Sequence, residues 1–218
     1  MKILIVYLNE DEKLKRCLDS LKKYSPDVVV DLVKADPNKT EVAEQEYQEY
    51  LLKQTEDVMI WHPDMEATEG WYEDLLKYYD KFDVIGCKIV YPNGIVNHYG
   101  GAINMNGVGF HPHQFSLNIG LTEPLDTAFV TGPSMVIKKK VMDKLKGWDY
   151  QFTYYIDVDF CFRARQEGFS VGVVPVRLIH SEGEDRLKKF SEEKTRNQMI
   201  DSHKRFTSKW MSVLSKCI

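Results

Sequence analysis

Asp64 and Glu66, two carboxylates one residue apart, directly follow the short apolar run Asp57–Trp61. In an extended segment side chains two apart point the same way, so both can converge on one cation. Hard oxygen donors suit Mg²⁺ or Mn²⁺, which complete their shells with substrate phosphates and water. His180 ends another apolar run and precedes Ser181, Glu182 and Gly183, a setting in which an imidazole can complete a metal site or touch a phosphate. Asp157 and Asp159 stand in an aromatic stretch ahead of a helical pattern that carries Arg163. Asp159 reads as the cap of that helix, paired with Arg163 four residues on at about 0.5 kcal/mol. Asp157, one step outside it, has surroundings that can raise a carboxylate's pKa toward the operating pH, and it is the candidate general base. His111-Pro112-His113 has no Cys or further His at the spacing that zinc requires.

These groups need a frame that brings strand ends together. The apolar run 2–7 is followed by Leu14, Cys17, Leu18 and Leu21 at helical spacing, a βα unit. Val28 to Val30, turn residues Asp36-Pro37-Asn38, a helix from about Thr40 to Gln54 and a strand at 57–61 continue the alternation. Repeated βα units predict a parallel sheet covered by helices, with ligands outside the carboxyl ends of the strands. Tyr7, Asn9, Asp36, His62 and Asp64 thereby become candidates for one crevice. A helical stripe from Trp71 to Phe82, a strand Val84–Val90 and the hairpin signal Pro92-Asn93-Gly94 follow. Residues 102–127 read as a long loop, which in a compact domain is usually functional. Then come a strand Phe129–Ile137, a basic helix 138–145, a helix from Asp159 closed by Gly168, and strand signals from Val171 to His180. Met199, His203, Phe206, Trp210 and Val213 form the apolar stripe of a last, amphipathic helix over 191–218, expected to dock on the core.

With 218 residues, 43% of them hydrophobic, the chain can bury one core and is expected to form one domain. Residues 1–90 would be its nucleotide- and metal-binding half, and residues 91–190 its acceptor-side, base-carrying half. The first 110 residues carry 12 Lys and Arg against 20 Asp and Glu, and the remainder 17 against 13. That balance argues against nucleic acid as a partner, while the basic part could face an acidic acceptor or the surface of a membrane. The opening apolar run is too short to span a bilayer and no cleavage signal follows it, so a cytoplasmic address is expected, peripheral to the membrane if the basic part docks there. Four scattered cysteines fit reduced thiols.

Taken in order, the motifs resemble the family 2 glycosyltransferases, in particular their rhamnosyltransferase-like branch. Lys2–Glu10 with Leu14–Leu21 is similar to the family's first strand, Asn-Glu turn and first helix. His62-Pro63-Asp64-Met65-Glu66 with Gly70-Trp71 is similar to its metal-binding segment, and Pro92–Gly100 to one of its hairpins. Val130–Ile137 is similar to the strand lining the donor and acceptor pocket. Gly147-Trp148-Asp149 with Asp157–Arg165 and Gly168 is similar to the base-containing segment, and Pro175–His180 with Asn197, Phe206, Lys209 and Trp210 to the closing stretch. The resemblance implies a GT-A fold: a Rossmann-like α/β architecture with a mixed, mainly parallel sheet flanked by helices. Here it is reduced in its N-terminal half, where a strand is missing between residues 40 and 57.

The resemblance further implies Asp64 on a metal, with Glu66 and His180 beside it, and Asp157 as the base. Tyr7, Asn9, Asp36 and His62 would hold the nucleotide, with Asp31 as an alternative to Asp36. Gly132, Trp148 and Asp159 would contact substrate. Ile156 stands where the family has an acid. The implied reaction transfers a sugar from a nucleotide-diphosphate sugar to a hydroxyl of a glycan, lipid-linked or protein acceptor. A single in-line displacement with one base inverts the anomeric carbon. Two other readings stand beside it: a catalytically silent module that binds nucleotide sugar, and a metal-dependent nucleotidyl- or phosphotransferase. The oligomeric state is open.

Overall fold

The structure is a computed structural model that describes residues 1–36, 43–149, 151–181 and 192–214. Pro37-Asn38, the expected helix start at Thr40, Glu182-Gly183 and Cys217 lie outside those residues. Strand β1 (Lys2–Tyr7) is flanked in parallel by β2 (Val30–Lys34) and β3 (Val58–Trp61). Helix α1 (Glu12–Tyr24) returns the chain from β1 to β2, its first amides capped by the Asp11 side chain, which accepts from Lys13 N and Leu14 N. Among the described residues a single helix, α2 (Ala43–Leu51), lies between β2 and β3, and this half of the sheet has three strands.

After the two-residue β4 (Met65–Glu66) and α3 (Trp71–Lys77), β5 (Val84–Val90) turns through Pro92-Asn93-Gly94 into β6 (Val96–His98), as the turn signal predicts. The segment expected as one long loop holds a small hairpin, β7 (Ala102–Ile103) with β8 (Gly109–Phe110), and a short β9 (Leu125–Asp126). Strand β10 (Ser134–Ile137) lies antiparallel between β3 and β5. The predicted strand 129–137 is shorter because Pro133 has no N–H to give to a ladder, and Phe129 instead bridges to Gly101. Helices α4 (Lys139–Leu145) and α5 (Ile156–Gln166) lead to β11 (Val171–His180), one strand bulged between Val174 and Arg177, around Pro175. Helix α6 (Glu193–Leu214) closes the described chain. The order β2-β1-β3-β10-β5-β11-β4, with β6 beside β5 and β9 beside β11, makes a mixed sheet whose longest pairings are parallel.

Alternation along β1 divides the core. Leu4 and Val6 face one cluster with residues of α2, α4, α5 and α6, while Ile3 and Ile5 face another with α1 and α3. Helix α6 docks on the first cluster through Phe206, Trp210 and Leu214, with Thr195 and Ser202 also buried. The predicted stripe was out of phase by part of a turn: Val213 is exposed, and Met199 and His203 are only half-buried.

Candidate active site

The carboxyl ends of β1, β2 and β3 form one edge, and Tyr7, Asp36 and His62 stand on it. Ala35 donates to the Tyr7 carbonyl, which sets Asp36 beside the end of β1, and Asn9 follows in the exposed turn before α1. Asp31 is excluded from this edge: it sits inside β2 opposite Leu4, with Lys2 at 3.8 Å.

Immediately after β3 the chain turns, Met65 N donating to the His62 carbonyl, and this turn decides the ligand set. It takes Asp64 out of the extended geometry in which it would align with Glu66. Glu66 lies in β4, accepting from Ser181 Oγ at 2.8 Å and paired with Arg16 at 3.3 Å. Its expected place is taken by His62, which the sequence assigned to the nucleotide. Ligand atoms of His62, Asp64 and His180 lie within 4.8 Å of one another. The ladder between β4 and β11 sets His180 opposite Met65, so His180 Nε2 and Asp64 Oδ1 are 3.1 Å apart, and Ser181 N is bonded to the Asp64 carbonyl. Burial alone would raise the Asp64 carboxyl. The His180 hydrogen bond and the charges of His180 and His62 outweigh it and hold the group well below the usual carboxylate range. Two imidazoles and a carboxylate fit a divalent first-row ion such as Mn²⁺ better than Mg²⁺, which favours all-oxygen shells.

His62 is held by its surroundings. Its amide donates to the Pro133 carbonyl, and its ring stacks on Tyr47 at 6.1 Å and 22°. Tyr47, fully buried on α2, donates to the Trp61 carbonyl and accepts from Val6 N, fixing α2 to the ends of β1 and β3. Sequence reasoning missed Tyr47, whose only signal is an aromatic residue within the predicted helix 40–54. The Trp148 ring leans on Tyr47 at 5.8 Å, and its backbone amide is held by Gln48 Oε1. Its buried indole Nε1 has no hydrogen-bond partner among the described residues.

Gly132 joins the two halves of the site. Its N–H donates to Asp157 Oδ2 at 3.1 Å, and a Cβ there would lie 3.6 Å from His62 Nε2 and 3.7 Å from the Trp148 ring. Asp157 is not outside its helix as expected. Helix α5 begins at Ile156, so Asp157 lies in the first turn, its Oδ1 accepting from Val158 N. Asp159 does not cap the helix either. It is fully buried and holds Arg163 Nε, Lys209 Nζ and Trp210 Nε1 at 2.8–2.9 Å, so its oxygens face protein donors and the expected substrate contact is replaced by a link between α5 and α6. The cap position is Tyr155, at φ +65° with no side-chain cap bond.

The family described as glycosyltransferase-like family 2 matches residues 96–199. The O-antigen biosynthesis protein RfbC of Myxococcus xanthus is 28% identical over 141 residues, which are 59% of this chain and 11% of that protein. The chain thus spans about a tenth of that relative's length. Among solved structures, GalNAc-T7 with UDP, GalNAc and Mn²⁺ superposes with a TM-score of 0.64 at 15% identity, over 82% of this chain and 43% of the other. The mannosyltransferase PcManGT from Pyrobaculum calidifontis, in complex with GDP-Man and Mn²⁺, gives 0.56 at 12% identity, over 84% and 57%. At these identities the structures establish the fold.

Proposed function

We propose that this chain, whose residues 96–199 match the glycosyltransferase-like family 2 and which has the GT-A fold, transfers a sugar from a nucleotide-diphosphate donor to an acceptor hydroxyl with inversion. The observation that carries this reading is the continuity of the site: the His62, Asp64 and His180 cluster and the Asp157 carboxylate meet through Gly132. His62, Asp64 and His180 would hold Mn²⁺, which when bound neutralises charge developing on the diphosphate. Tyr7 and Asp36, at the neighbouring strand ends, are proposed to contact the nucleoside, as is Asn9 beyond them. Trp148, whose ring edge lies beside Gly132, is proposed to form an apolar wall of the sugar pocket.

Asp157 is proposed as the general base. Each of its oxygens already accepts one backbone N–H, and a carboxylate has further lone pairs for an acceptor hydroxyl. Those two amides also fix its rotamer, so proton removal occurs from a set direction. Asp159 is assigned a positioning role, keeping the first turn of α5 against α6.

The test is release of nucleoside diphosphate from a panel of nucleotide sugars with Mn²⁺, with Asp64→Ala and Asp157→Asn in parallel. Turnover of a donor, lost by about 10²-fold or more in both variants, is the expected result. Donor binding without turnover would replace it with the silent-module reading. Cleavage between the phosphates, instead of between sugar and phosphate, would move the protein to phosphoryl chemistry.

A further inference from the structure

Between Lys88 and Glu123 the sequence contains no Asp, Glu, Lys or Arg, in a chain that is 28% charged. Much of this segment is nevertheless at the surface, and it exposes large apolar side chains: Met105 at 69%, Leu117 at 69% and Ile119 at 78%, with Val108, Phe110 and Phe115 also exposed. Exposed apolar side chains on a segment without charges are suited to an interaction that covers them.

The tip of the β7–β8 hairpin shows what lies beside it. Asn104 to Val108 close a tight turn, and the Asn106 carbonyl is 3.0 Å from His203 Nε2 of α6. Gly107 lies so close to α6 that a Cβ there would be 2.4 Å from Thr207 Cγ2. Helical periodicity therefore places Ile200, Lys204 and Met211, at i, i+4 and i+11 around Thr207, on the flank that continues the hairpin tip. Ile200 and Met211 are both exposed, at 50% and 61%. On this flank the same periodicity sets the exposed Arg196 and Lys204 against Glu193, leaving it net basic.

We infer that this face, formed by the uncharged β7–β8 tip and the adjoining flank of α6, docks on the surface of an anionic lipid bilayer. A charge-free loop with Met, Val and Phe side chains can enter the headgroup region without stripping water from ions, and neighbouring cations draw it to acidic headgroups. An apolar tip bordered by cations matches the apolar interior and anionic outer layer of a bilayer. The face is tied to the site, because Gly109 N in β8 donates to the Tyr155 hydroxyl, and Tyr155 begins the helix that carries Asp157. Bilayer docking would thus present Asp157 to acceptors held in or on the membrane, a deepening that rests on the transferase reading, whereas docking itself does not.

The experiment is flotation of the purified chain with vesicles of phosphatidylcholine, alone or with about one third phosphatidylglycerol. Wild-type protein should float with the anionic vesicles, less so as salt rises through the screening range, and Met105→Asp with Met211→Asp should cut the bound fraction about tenfold. Arg196→Glu with Lys204→Glu should cut it on anionic vesicles with an unchanged circular dichroism spectrum and melting temperature. Because flotation needs no donor or metal, its failure is distinguishable from failure of the transferase reading. Absence of wild-type flotation overturns the inference. So does a concentration-dependent dimer in ultracentrifugation that the Met105 and Met211 substitutions dissolve, which would assign the face to a second copy.

Discussion

At the scale of single residues, the ligand set turns on the hydrogen bond that closes the His62–Met65 turn. The places of Asp64 and His180 near strand ends were legible because each follows a recognisable apolar run. The substitution of His62 for Glu66 was not, since alternation along an extended segment was assumed where the backbone in fact reverses. The two sets give opposite expectations. His62→Ala and His180→Ala should each weaken Mn²⁺ binding by about 10-fold or more, read by titration calorimetry, while Glu66→Gln should change it roughly twofold. If Glu66→Gln is as damaging as His62→Ala, the histidine-rich set is wrong. In the metal-free fold the depressed pKa of Asp64 contributes stability that is fully present and constant near neutrality and is lost as pH falls through the folded value, so Asp64 contributes to acid unfolding.

At the scale of elements, the instructive one is α5. Its start was read three residues late because the sequence offers Asp159 as a conventional cap, while the actual cap is Tyr155 in a left-handed conformation that few side chains adopt. Such a conformation costs on the order of 1–3 kcal/mol and persists only when its surroundings enforce it. Here the ring packs on Phe206 at 5.1 Å and His203 at 5.8 Å of α6, and the hydroxyl accepts from Gly109. The consequence is that Asp157 enters the first turn and reaches Gly132. Tyr155→Gly keeps the backbone angle and removes the clamp. It should lower kcat about tenfold with donor KM little changed, since the donor side of the site is built by other elements. Tyr155→Phe should restore most of kcat, because the 3.4 Å bond from Gly109 is the weakest of its contacts. Equal rates for Tyr155→Gly and wild type would show that the ring positions nothing.

At the scale of the whole molecule, the sheet was legible in its parts and not in its assembly. The βα alternation announced β1, β2 and β3, and the Pro-Asn-Gly turn announced the β5–β6 hairpin, because those features are local. The insertion of β10 between β3 and β5 rests on pairings of distant positions, such as Met135 with Ile60 and with Gly86, which no window of sequence contains. Helix α6 poses the same problem of distance. Its phase was misjudged because the face that matters is chosen by Asp159 and the first core cluster, not by hydrophobicity alone: Trp210 donates its indole N–H to Asp159, and polar Thr195 and Ser202 are buried on the same side. Asp159 and Lys209 then connect α6 to α5 and, through Asp149, to the loop carrying Trp148. If α6 is in this way part of the core that contains Leu4, Val6 and Ile60, a cavity at Trp210 must be felt by the sheet. Trp210→Ala should cost about 3–5 kcal/mol in urea denaturation while leaving a single transition with an unchanged slope. A helix merely laid on the surface would behave differently. It would melt first, in its own transition and with early proteolysis between residues 192 and 214, while β1 and β3 kept their full hydrogen-exchange protection.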